Sequence, residues 1–192
     1  MRTAILLLFI LPSLLAQTRP DIWKQVNPEA KGASLQDVRP IPARLAALAK
    51  LRLIKQLSPN SPSADQEGCD LDTPAGLLQG LTFREIPLAR HHDILLVGEQ
   101  GPCAWGGTGG GGDQWLIQFD GTTPIILASP KDGFIGWIYS IQPSASHGYH
   151  DLVLGWHMAA DDYNLVYFRF DGKSYIVIGR ANETAGEIVP NK

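Results

Sequence analysis

From about residue 80 onward, apolar and polar positions alternate with period two, the pattern of half-buried β-strands. Trp115, Ile117 and Phe119 alternate with Leu116 and Gln118, while Val166, Phe168 and Phe170 alternate with Tyr167 and Arg169. The first set of each run is expected inward, and Tyr167 and Arg169 outward. Each run ends in a turn dipeptide, Asp120-Gly121 or Asp171-Gly172, that folds the chain back as a hairpin. Returning strands are predicted over 124–128 and 175–179, with further strands over 82–88 and, after the Asp132-Gly133 turn, 134–141. The stretch His92-Asp93-Ile94-Leu95-Leu96 recurs as His150-Asp151-Leu152-Val153-Leu154 ahead of each hairpin. About eight short antiparallel strands in two internal repeats make a mainly β domain, packed as a sandwich, a barrel or blade-like.

Before residue 80 the period changes. Residues 17–40 are polar, broken by Pro20, Pro28 and Pro40, and read as an extended or weakly ordered lead-in. Pro42 suits a first helical turn, where its missing N–H costs nothing. Residues 43–57 are rich in the strong helix formers Ala, Leu, Lys and Arg, and Leu45, Leu48, Leu51 and Ile54 recur as an apolar stripe. One amphipathic helix is therefore predicted over 43–57, followed by a Ser/Pro/Asn linker to residue 63. Arg44, Lys50, Arg52 and Lys55 make it basic, as a membrane-surface or partner-docking helix would be. Diluting alanines and the lack of large aromatics favour an ordinary helix with a solvated face lying on the β domain. The chain thus divides into residues 1–16, a lead-in over 17–63, and a two-repeat β domain over 64–192.

The first segment reads as a signal peptide. Arg2 supplies the positive end, residues 4–11 the apolar run, and Ala16 a small residue before the cut at Gln17. The run falls short of the roughly 20 apolar residues that cross a bilayer. A secreted or periplasmic product is expected. A formal net charge of −3 gives no electrostatic case for nucleic acid or an anionic membrane. With 14 prolines and 20 glycines the composition suits a turn-rich β protein. In an oxidising compartment Cys69 and Cys103 are expected to form a disulfide, contributing roughly 3–4 kcal/mol. A reactive or metal-binding thiol is the alternative.

The two repeats differ in length between Asp93 and Asp120, where the first is longer by the glycine-rich run 106–112. That run reads as an insertion in the first hairpin's loop. A phosphate-binding loop is excluded by context, since no Lys-Ser or Lys-Thr follows and a strand, not a helix, comes next. Trp115 and Trp156 fall on core faces, whereas Trp105 lies beside Cys103 and the run. Trp105, Gly106, Gly109 and Gly112 are accordingly the expected ligand-binding residues, on a loop carried by a rigid scaffold.

His147, His150 and His157, with Asp151, Asp161 and Asp162, are weak candidates for a metal site. Their spacing matches no H-E-x-x-H or C-x-x-C pattern, and no cofactor is implied. A His-Asp pair also suggests a catalytic base with its orienting carboxylate. Neighbouring strand residues point to opposite faces, however, and the pair occurs in both repeats. Asp satisfying turn N–H groups is the simpler expectation. No catalytic residue is assigned.

The second repeat, Gly148-Tyr149-His150-Asp151-Leu152-Val153-Leu154 followed by Phe170-Asp171-Gly172, resembles the FG-GAP or VCBS type of extracellular β repeat over about residues 91–180. The resemblance implies a small exported bacterial two-repeat β protein. That family carries an Asp/Asn-rich calcium loop before the matching Asp, but here Pro143-Ser144-Ala145-Ser146-His147 has no carboxylate, so calcium does not carry over. Two units are also too few to close a propeller. Small periplasmic β-rich lysozyme inhibitors are similar in size, export and a single disulfide. The expected function is a non-catalytic binding or inhibitor domain for an envelope or extracellular protein or glycan. The alternatives are a hydrolase or metalloenzyme using the His/Asp cluster, and a structural envelope module.

Overall fold

The computed structural model describes residues 21–26, 39–40, 52, 76, 80–99, 112–159 and 161–191. The protein is mainly β. Among the described residues, ten antiparallel strands form one open sheet: β1 (Arg39–Pro40), β2 (Leu81–Glu85), β3 (Ile94–Glu99), β4 (Gly112–Asp120), β5 (Thr123–Ala128), β6 (Ile135–Ser146), β7 (Tyr149–Ala159), β8 (Asp162–Phe170), β9 (Tyr175–Thr184) and β10 (Glu187–Pro190). β2 to β5 make one four-stranded meander and β6 to β9 a second, extended by β10. The strands of the two repeats therefore come in the same order. Among the described residues the two meanders join by a short ladder, Gly112 opposite Gly136 and Asp113 opposite Ile135. Gly136 has φ 109°, and a Cβ there would lie 2.5 Å from the Gly155 carbonyl oxygen, so the seam requires glycine.

Both faces of each meander are buried. The main core draws on both halves: Ile94, Leu96 and Leu116 from the first, and Leu152, Leu154, Val166 and Phe168 from the second. A second cluster, with Leu95, Val97, Trp115 and Ile117, occupies the other face of the first half. A third covers the other face of the second half with Tyr139, Val153, Leu165 and Tyr167.

Here the expected facing needs correction. Val166, Phe168 and Phe170 do enter the main core, but their counterparts Trp115 and Ile117 belong to the second cluster, and Leu116 takes the main-core position. The cause is a slip of register. Ile94 pairs with Gln118 whereas Leu152 pairs with Phe168, one place further from the Asp of the turn. A one-residue slip exchanges the faces of a strand. It is tolerated because both faces are apolar and buried, which is also why alternation alone could not tell inside from outside.

Tyr167 is a second correction. Expected outward, it has no solvent exposure, because residues 21–26 lie over it. Asp21 caps a single 3-10 turn, Ile22–Gln25, by accepting from the Trp23 N–H at 3.3 Å. Trp23 and Val26 are buried in the third cluster, and the Trp23 ring meets Tyr167 edge-on at 5.7 Å. Gly179 makes room for this turn, since a Cβ there would lie 2.9 Å from Ile22 and 3.3 Å from Trp23. Within the expected weakly ordered lead-in, residues 21–26 are thus a packed element. The predicted helix over 43–57 lies outside the described residues except Arg52, which is helical. Cys69 and Cys103 lie outside them as well.

Candidate functional site

Among the described residues, two clusters of polar side chains lie near the residues expected to form a site. The first is the base of the connection between β3 and β4. The insertion expected there falls between those strands, and Trp105, Gly106 and Gly109 lie outside the described residues. Gly112 instead opens β4 and pairs with Gly136. Beside it Asp113 is 1 % exposed, and its backbone N–H donates to the Glu99 carboxylate at 3.1 Å. The connection's two ends are therefore held together by the last side chain of β3 and the backbone at the start of β4. Trp115, one place along β4 beyond Gln114, is fully buried as expected.

The second place surrounds Asp151. Between the pairs Ile141–Leu152 and Ala145–His150, three residues of β6 face the single residue Asp151 of β7. Pro143 at the centre has no N–H to give the ladder, which is where a bulge belongs. The bulge swings Ser144 over β7. Its hydroxyl donates to Asp151 Oδ2 at 2.9 Å, the Tyr167 hydroxyl does so at 3.3 Å, and Arg169 grips the carboxylate through Nε at 3.1 Å and Nη2 at 2.8 Å. Asp151 has no exposure, while the Arg169 side chain is 40 % exposed. The hydrogen bond to Asp151 raises the Arg169 pKa, and burial raises that of Tyr167. This corrects the expectation that Asp151 satisfies a turn: it is the buried half of an ion pair with the partly exposed Arg169, because its face of β7 is covered. The counterpart Asp93 is exposed in the approach to β3.

The three histidines do not converge. His147 sits in the β6–β7 turn at φ 53°, its ring against Phe170, with Nδ1 3.0 Å from the Ser146 hydroxyl. His150 Nδ1 lies 2.9 Å from the Gln142 carbonyl oxygen at the bulge. His157 is near the far end of β7, edge-on to Trp137 at 5.0 Å and 4.2 Å from the Tyr163 ring. Among the described residues no three His, Cys, Asp or Glu side chains are grouped to hold a metal. His150 and Asp151 point to opposite faces, as strand geometry requires. His92 of the first repeat stacks on Tyr149 at 5.6 Å, followed by Phe170 at 4.1 Å and Tyr175 at 5.5 Å. The repeated motif thus binds the halves together through rings. The Tyr175 hydroxyl donates to the His150 carbonyl at 2.9 Å.

Sequence reasoning missed Arg169, Ser144, Glu99 and Asp113 as members of polar clusters. Pro143 opposite an otherwise regular strand was the available signal for the bulge that builds the Asp151 network. No described helix is long and apolar enough to cross a membrane. Comparison with protein-family models, with curated proteins and with solved structures finds no match to this chain.

Proposed function

We propose that this chain is an exported, non-catalytic binding or inhibitor domain whose partner-facing surface is the β3–β4 connection with Trp105, Gly106 and Gly109. The observation that carries the reading is an asymmetry between the repeats. β7 and β8 are joined across 160–161, whereas β3 and β4 are joined by 100–111. Antiparallel pairing needs only a two-residue link, so strand pairing does not account for the longer connection, and binding residues concentrate on loops anchored by a scaffold. The groups that would have to do chemistry are committed elsewhere: Asp151 holds three side chains, and His150 faces a backbone carbonyl. Export rests on Arg2, the apolar run 4–11 and Ala16. The partner class is a protein or glycan of the envelope or the extracellular space.

The test compares wild type, Trp105→Ala and a deletion of 106–111 that keeps Gly112 for its pairing with Gly136. All three are expected to fold. Capture of a partner from envelope or extracellular extract should weaken by more than about 1 kcal/mol in both variants if Trp105 is an anchor, with lysozyme inhibition assayed alongside. Equal capture by all three places the binding surface elsewhere. A metal-dependent hydrolysis abolished by changing His150 or His157 would replace this reading with an enzymatic one.

A further inference from the structure

The face of the first half turned away from the main core carries Leu81, Leu95, Val97, Trp115 and Ile117, none more than 2 % exposed, with Phe83, Phe119 and Ile126 partly buried around them. Cross-strand pairing places Phe83, Val97 and Trp115 in one row and Leu95, Ile117 and Ile126 in the next. Strand pairing satisfies the edges of a sheet and leaves its faces open, so a face leaves water only under a second layer. On the second half that layer includes the turn at 22–25. On the first half, Arg52, from before β2, contacts the tip of the β4–β5 hairpin. It is helical, and its guanidinium donates to the Thr122 hydroxyl at 2.6 Å and to the Thr122 carbonyl at 3.4 Å, at the β4–β5 turn.

We propose that this apolar face is the docking site of the chain's own segment 43–57, with the stripe Leu45, Leu48, Leu51 and Ile54 as its occupant. The dimensions fit. Fifteen helical residues span about 22 Å, enough to cross β2 to β5 at about 4.8 Å between neighbours. The anchor fits too. Leu48 precedes Arg52 by one turn on the same side of a helix, so the Arg52 tie at the hairpin tip brings Leu48 toward Phe119 and Ile126. The stripe supplies aliphatic side chains without aromatics, suited to a face that already contributes Trp115, Phe83 and Phe119. Together with residues 21–26, the region before β2 then covers both outer faces of the two-repeat sheet.

The experiment is hydrogen exchange read by mass spectrometry on the full chain, over a range of protein concentrations. A free 15-residue helix is marginal in water. The expected result is exchange over 43–57 at least about tenfold slower than in the synthetic peptide of that sequence, independent of concentration. The paired change Leu48→Asp and Leu51→Asp should bring 43–57 to the peptide's rate and speed exchange in β3 and β4. Arg52→Ala, which removes only the tie and leaves the face intact, should speed 43–57 alone by a few-fold. Peptide-like exchange in the wild type overturns the proposal, as does a paired variant indistinguishable from wild type. Protection that grows with concentration also overturns it, and assigns the face to a second copy.

Discussion

Removing Arg169 isolates the ion pair with the fully buried Asp151. In Arg169→Leu, Asp151 keeps its place and the Ser144 and Tyr167 hydroxyls, but its countercharge is gone. Stripping one partner from a buried pair costs about 3–5 kcal/mol. The Arg169 side chain is 40 % exposed, so water enters beside the freed carboxylate and the expected loss falls to about 2–3 kcal/mol. Asp151→Asn keeps the shape and releases a cation that water can already reach, for about 1–2 kcal/mol. The double variant removes both charges, so its cost should fall short of the sum of the singles by about 1–2 kcal/mol. Urea unfolding followed by circular dichroism at neutral pH measures all four proteins, with equal slopes confirming a common unfolded state. The coupling should survive added salt, since buried pairs are weakly screened. Additive single costs, or a loss below about 1 kcal/mol in Arg169→Leu, would mean that the carboxylate is hydrated and the pair is a surface one.

Trp23→Ala should lower stability by about 3–4 kcal/mol in the same assay, limited by the docking free energy of residues 21–26, so deleting those residues should cost no less. A change under about 1 kcal/mol would show that the turn rests on the sheet without holding it. Gly136→Ala, with its Cβ driven to 2.5 Å from the Gly155 oxygen, should cost more than about 3 kcal/mol, whereas Gly148→Ala, with open space around it at φ 83°, should cost about 1 kcal/mol. Equal losses would place the strain in φ alone. Burial raises the pKa of Tyr139, Tyr149, Tyr167 and Tyr175. The unfolded chain ionises its phenols near pH 10 and the folded one resists, so stability is complete below about pH 10 and declines as pH rises past it. Ultraviolet difference absorbance should show those phenolates appearing together with unfolding. Ionisation of all five tyrosines with native circular dichroism intact would contradict their burial.

The strand order was legible because Asp120-Gly121 and Asp171-Gly172 mark the hairpins and period-two runs flank them. Which face of each strand points inward was not. A run such as Trp115 to Phe119 is apolar on both sides, and the register slip that sends Leu116 to one core and Trp115 to another leaves no trace in composition. The burial of Tyr167 and Asp151 was hidden for a different reason. Tyr167 is covered by Trp23, a contact distant in sequence that no local pattern encodes, while Asp151 is buried by the bulge at 142–144, of which Pro143 was the one local sign. The repeated His-Asp pair shows the limit of repetition as a guide, since the Asp of one copy is buried against Arg169 and that of the other lies exposed in the approach to β3.

The two halves differ in how far the chain must travel to close them. From β6 to β10 each strand pairs with its neighbour in sequence across turns of two to four residues, so loop closure there is cheap and assembly fast. β3 can meet β4 only across 100–111, and β2 meets β1 across 41–80. The second half is thus positioned to form first and to template the first through the shared core. Synthesis runs the other way, from the amino terminus. For the interval between their synthesis and the completion of β9, β3 and β4 lack the second half that covers their main-core face, and exposed apolar strand surface is what holding chaperones bind. A newborn chain truncated before β6 should therefore be protease-sensitive and retained by such chaperones, and release should coincide with the emergence of β9.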